Sequence, residues 1–147
     1  MKDNDYTVNA DDVKLKPIGF VDTDETDIPR HWTVSTVIGK LVIEEEYREG
    51  LDGIQEGNRI QVIFLFHRSP PFSPQYLRQT PPHSGVEKGV FSTCSPKRPN
   101  PIGVSVVEVL KTEGNALIVK GLDMLKGTPI LDIKPMPKNV KILEEKS

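Results

Sequence analysis

Cysteine is almost missing from this 147-residue chain, which has only Cys94. One cysteine excludes an internal disulfide framework and a cysteine-rich zinc cage, and it suits a reducing compartment. Histidine is scarce as well. His31, His67 and His83 lie far apart without HxxxH-type spacing, so no metal is expected. No apolar run approaches the ~18 residues of a membrane span. The acidic, polar N-terminus is unlike a signal peptide, so the expected location is cytoplasmic, with no membrane partner. A Gly-rich strand–turn–helix fingerprint is absent too, which leaves the dinucleotide-binding fold without support.

Hydrophobic residues make up 36% of the chain and charged residues 27%, the balance of a globular domain. The length fits one domain of the usual roughly 100–200 residues. The net charge of −2 hides a split. Residues 1–56 carry 6 Lys/Arg against 14 Asp/Glu, and residues 57–147 carry 13 against 7. Such asymmetry marks either a basic face for an anion or a solvated acidic arm.

Short strand signals dominate. They fall at Leu15–Val21, Thr36–Ile43, Ile60–Phe66, Val90–Thr93, Val104–Leu110, Leu117–Leu122 and Ile130–Ile133. Ile60–Phe66 is nearly all apolar and reads as a strand buried on both faces. Ile43, Tyr47 and Leu51 recur every four residues, so Glu44–Leu51 reads as a short helix. Glu113-Gly114-Asn115 and Lys126-Gly127-Thr128-Pro129 read as tight turns. Between Ser69 and Glu87 five prolines exclude regular strands, and a loop this long is usually functional or disordered. The expected fold is mainly β: one compact β-barrel domain over residues 14–140, with short helices and a long Pro-rich loop. An acidic tail over residues 1–13 and a C-terminal tail over 141–147 flank it.

Four segments concentrate chemistry. In GVFSTCSPKRPNPIG, Pro96, Pro99 and Pro101 stiffen a loop that presents Lys97, Arg98 and Asn100. Arg98 offers a planar fork for phosphate or carboxylate, and the Asn100 carboxamide offers a donor and an acceptor to a base edge. Phe66-His67-Arg68 ends a core strand in two polar groups, at a pocket mouth or as a hydrogen-bonded structural histidine. Pro29-Arg30-His31-Trp32 carries the single tryptophan, either a stacking surface for a purine or a core anchor. Lys120-Gly121-Leu122-Asp123 sets a carboxylate beside a glycine that permits close approach. Further on, Asp132 and Lys134 share one strand face, as an ion pair or a proton-handling pair.

GVFSTCSPKRPNPIGVSVVEVL, LDMLKGTPILDIKP and IPRHW resemble the TsaA-like family, also called TrmO, over Pro17–Pro137. The resemblance implies a β-barrel that binds S-adenosylmethionine (SAM), usually as a homodimer. It also implies methylation of tRNA at N6 of threonylcarbamoyladenosine beside the anticodon. Carried over by position, cofactor contacts fall on Arg30, His31, Trp32, His67, Arg68, Cys94, Val104, Lys120, Gly121, Leu122 and Asp123. Lys97 and Arg98 would face the substrate. For catalysis, Asn100 would align the acceptor. Its proton would leave to Asp132, beside Lys134, or with help from a substrate carboxylate held by Arg98. Three positions depart from the family pattern: Cys94 stands where Arg is frequent, Arg68 where Gln is common, and Met136 where a Tyr follows DIKP. A nucleotide-binding barrel without chemistry is the alternative, and a small histidine-dependent hydrolase a weaker one.

Overall fold

A computed structural model of the chain describes residues 9–137. Among these residues lie eight strands: β1 (Gly19–Asp22), β2 (Ile38–Ile43), β3 (Arg59–Leu65), β4 (Arg78–Gln79), β5 (Lys88–Gly89), β6 (Ile102–Glu113), β7 (Ala116–Lys120) and β8 (Pro129–Pro135). The described helices are all short and of the 3-10 type. Six strands pair antiparallel in the order β1-β2-β7-β6-β3-β8, and β8 pairs back onto β1. The sheet therefore closes on itself and leaves no long bare edge. β4 and β5 form a separate two-stranded ribbon.

Period-two patterning sets which side chains enter the ring. On β3, Ile60, Val62 and Phe64 are buried while Gln61, Ile63 and Leu65 are half-buried. The expectation of a strand buried on both faces is thus corrected: one face of this strand meets the core and the other is only partly covered. On β6, Gly103, Ser105, Val107 and Val109 point inward. Leu41, Leu117, Val119, Leu122, Met124 and Ile130 complete the interior. Each such aliphatic side chain contributes about 1.5–3 kcal/mol on burial.

The hairpin between β6 and β7 turns at Gly114-Asn115, with Gly114 at φ +60°. Only glycine adopts that conformation without strain, and two-residue hairpins need it. Strand β1 is shorter than the expected Leu15–Val21, because Pro17 has no N–H for a ladder. The expected helix at Glu44–Leu51 is a 3-10 helix over Glu45–Leu51.

Two readings of the loop region change. The Pro-rich stretch is not free of strands, since Arg78 pairs with Gly89 and Gln79 with Lys88. Val90–Thr93 is no strand: Val90–Ser92 forms a 3-10 turn closed by the Thr93 N–H and hydroxyl on the Val90 carbonyl, at 3.0 and 2.8 Å. Hydroxyl side chains offer the backbone such local partners, and these compete with a ladder. Of the expected tail over residues 1–13, Ala10–Asp12 is a single 3-10 turn and residues 1–8 lie outside the described part. The expected tail over 141–147 lies wholly outside it.

Candidate functional site

One end of the ring is crossed by the segment that leaves β7. Gly121 turns there at φ +107°, a conformation that disfavours any side chain. The Gly121 and Leu122 N–H groups both donate to the Val37 carbonyl, at 2.9 and 3.2 Å, and the Ser35 hydroxyl donates to the Leu122 carbonyl at 2.5 Å. The Leu122 and Met124 side chains then sink into the core. Asp123, between them, is half-buried and accepts a hydrogen bond from the Ser105 hydroxyl at 2.5 Å. The Trp32 backbone N–H and His31 both lie near this carboxylate. Burial pushes the Asp123 carboxyl above the usual carboxylate range, while Ser105, the Trp32 N–H and His31 act against that rise.

Trp32 opens a 3-10 helix, Trp32–Val34, whose preceding residue His31 accepts the Thr33 N–H on Nδ1 at 3.3 Å. This local cap holds the imidazole near the indole, with ring centroids 5.3 Å apart.

Two clefts flank this arrangement. The first, of about 280 Å³, is walled by Phe66, His67, Arg68, Lys97, Asp123 and Thr128, among others. One carboxylate there shares the walls with a histidine and two cations. The second, of about 570 Å³, is lined by Arg30, His31, His83, Lys88, Cys94 and neighbouring loop residues. Pro96 borders both clefts.

The loop between them is tied down from three sides. The Ser69 hydroxyl donates to the Pro96 carbonyl at 2.9 Å, and the Gln79 amide donates to the Lys97 carbonyl at 2.6 Å. Arg98 Nη1 donates to the Thr93 and Ser95 carbonyls at 2.9 and 3.1 Å. Arg98 therefore fastens its own loop, whereas the sequence pattern suggested an outward fork for phosphate.

The residues predicted from the sequence thus separate. Arg30, His31 and Cys94 meet in the larger cleft. His67, Arg68, Lys97 and Asp123 meet in the smaller one, and Trp32 reaches Asp123 through its backbone. Gly121 and Leu122 are buried, so only their backbone supports the site. Val104 is exposed on β6, and Lys120 is exposed opposite Glu108; neither lines either cleft. Asn100 is exposed, and its carbonyl accepts the Ile102 N–H at 2.7 Å. Asp132 and Lys134 pair with each other at 3.0 Å. Asp132 lines a third depression, beside Tyr47 and Met136, that shares no residue with the two clefts. Arg78, a candidate phosphate contact by charge, is paired with Glu87 at 3.1 Å.

Sequence reasoning passed over Ser105, Ser69 and Gln79. For Ser105 a signal existed: one small hydroxyl stands in the valine-rich run GVSVVEVL, at an inward-facing position. Ser69 and Gln79 had none, because their partners lie 27 and 18 residues away.

A 42% identical relative from Archaeoglobus fulgidus is named an S-adenosyl-L-methionine-binding protein; the match covers 82% of this chain and 86% of the relative. A human tRNA (adenine(37)-N6)-methyltransferase is 42% identical over 85 residues, which is 58% of this chain and 19% of that protein. The crystal structure of TrmO from Pseudomonas aeruginosa superposes with a TM-score of 0.70 at 31% identity, covering 87% of this chain and 57% of that one. The chain thus spans little more than half of that solved structure. Residues 21–141 match the family model for the N-terminal domain of tRNA-methyltransferase O, and the chain belongs to that family.

Proposed function

We propose that this protein is a SAM-dependent methyltransferase on a β-barrel that modifies tRNA at an adenine N6, with threonylcarbamoyladenosine beside the anticodon as acceptor. The observation that carries the reading is the pair of clefts that meet at Pro96, with Asp123 in the wall of the smaller one. Their side chains suit SAM group by group. The Asp123 carboxylate is an acceptor for an ammonium or a ribose hydroxyl, and Arg68 and Lys97 are donors for a carboxylate. The His31 ring in the larger cleft, packed beside the Trp32 indole, offers aromatic surface to an adenine. Bound SAM supplies an electrophilic methyl group on sulfur. The chain's own task is to align donor and acceptor and to exclude water. Asn100, exposed on the proline-framed loop, is assigned the alignment of the acceptor, and among the described residues Arg30 and Lys88 make none of the side-chain hydrogen bonds that occupy Arg78 and Arg98, while the Lys97 ammonium sits over the Tyr76 ring.

The same reading puts the protein in the cytoplasm as a homodimer. Phe91 is 79% exposed, and Val34 and Val104 are also exposed, apolar side chains that a second copy could cover. A SAM-binding module without catalysis is the second reading, favoured by the Archaeoglobus relative's name and by the distance of Asp132 from both clefts.

Incubation with methyl-labelled SAM and total tRNA, followed by mass spectrometry of the nucleosides, tests the proposal. The expected product is a methylated N6-modified adenosine. SAM binding without transfer to any tRNA would favour the binding module, and no SAM binding would refute both.

A further inference from the structure

Ser105 is fully buried on the inner face of β6, between Gly103 and Val107. A hydroxyl in an apolar interior costs stability unless it is partnered, and alanine or valine would pack at such a position without that demand. Its partner is the Asp123 carboxylate, 18 residues away across the β6–β7 hairpin, at 2.5 Å. Ser105 lines neither cleft, so it meets a ligand only through Asp123. The Trp32 N–H lies near the same carboxylate from another element. A donor on one carboxylate oxygen restrains its rotation and leaves its remaining lone pairs to the cleft.

We infer that Ser105 is a positioning residue for the SAM site: its hydroxyl aims the Asp123 carboxylate into the cleft shared with His67, Arg68 and Lys97, as an acceptor for the ligand's ammonium or hydroxyl groups. The inference rests on the SAM reading above. The charged and titratable groups around the carboxylate are His31 on the Trp32 side and His67, Arg68 and Lys97 in the cleft walls. Because Ser105 donates to the ionised form, its loss lets protons compete more strongly with the ligand.

Calorimetric SAM titrations of the wild type, Ser105→Ala, Ser105→Thr, Asp123→Asn and the double variant Ser105→Ala/Asp123→Asn test this. Ser105→Ala should weaken binding about tenfold, the scale of one hydrogen bond to a charged group. Ser105→Thr keeps the donor and should restore binding. The double variant should bind no more weakly than Asp123→Asn alone, because both changes act through one carboxylate. Wild-type affinity in Ser105→Ala or additive losses in the double variant would overturn the inference while leaving the SAM reading intact. If Ser105→Thr fails to fold, the double-variant comparison decides alone. A wild type that binds no SAM would overturn the reading and this inference together.

Discussion

Replacing Arg98 with alanine separates two roles for the basic loop. In the structure its guanidinium donates to the Thr93 and Ser95 carbonyls at 2.9 and 3.1 Å, and the side chain is half-buried. A hydrogen bond from a charged donor contributes about 1.5–3 kcal/mol, and partial exposure puts these two at the low end. Arg98→Ala should then destabilise the protein by about 2 kcal/mol, which for a chain of this length lowers the melting temperature by roughly 4–8 °C. SAM affinity should fall as well, because Cys94 and Pro96, on the same loop, border the clefts. Arg98→Lys should rescue both properties only in part, since both bonds leave the one nitrogen Nη1, which an ammonium can replace, but without the rigid plane that holds it there. Thermal melts and SAM titrations on the two variants check this. A variant that melts like the wild type but loses salt-dependent tRNA binding would refute the fastening role and restore Arg98 as a phosphate contact.

Four further outcomes are expected. In Gly39→Ala a new Cβ would lie 2.5 Å from Leu122 Cδ1 and 2.8 Å from the Asp22 carbonyl oxygen, so the denaturation midpoint should fall by an amount equivalent to about 1–3 kcal/mol. Asp123 binds its proton more tightly folded than unfolded, so its contribution to stability falls as pH rises just above the usual carboxylate range; melts across that window should slope less in Asp123→Asn than in the wild type. Asp132→Asn breaks only an exposed ion pair, so it should change stability by less than about 1 kcal/mol and leave methyl transfer near wild type; a hundredfold loss would return Asp132 to the site. Asn100→Ala should slow single-turnover methyl transfer about a hundredfold with SAM affinity held within about threefold, and a lower melting temperature with full transfer would make the loop merely structural.

Much of this protein is legible from local pattern. Short runs rich in β-branched and apolar residues mark β2, β3, β6, β7 and β8, although such a run in β3 reads as buried on both faces where only one face meets the core. Gly114-Asn115 marks its hairpin, and prolines mark the loop that carries Lys97, Arg98 and Asn100. The sequence also points to Arg30, His31, His67, Arg68, Cys94, Lys97 and Asp123 in the cleft walls, because polar groups beside apolar strands stand out. Partners were beyond its reach. Closure of the sheet depends on β3 meeting both β6 and β8, and β1 meeting β8, contacts that join distant stretches of chain. Period-two pattern names the face a residue occupies but not the strand beside it. For the same reason, only the folded structure shows that Arg98 turns inward to its own loop and that Asp132 faces a separate depression. It also joins a serine on β6 to the aspartate beyond β7, since each hydrogen bond is settled by which distant groups packing brings within reach.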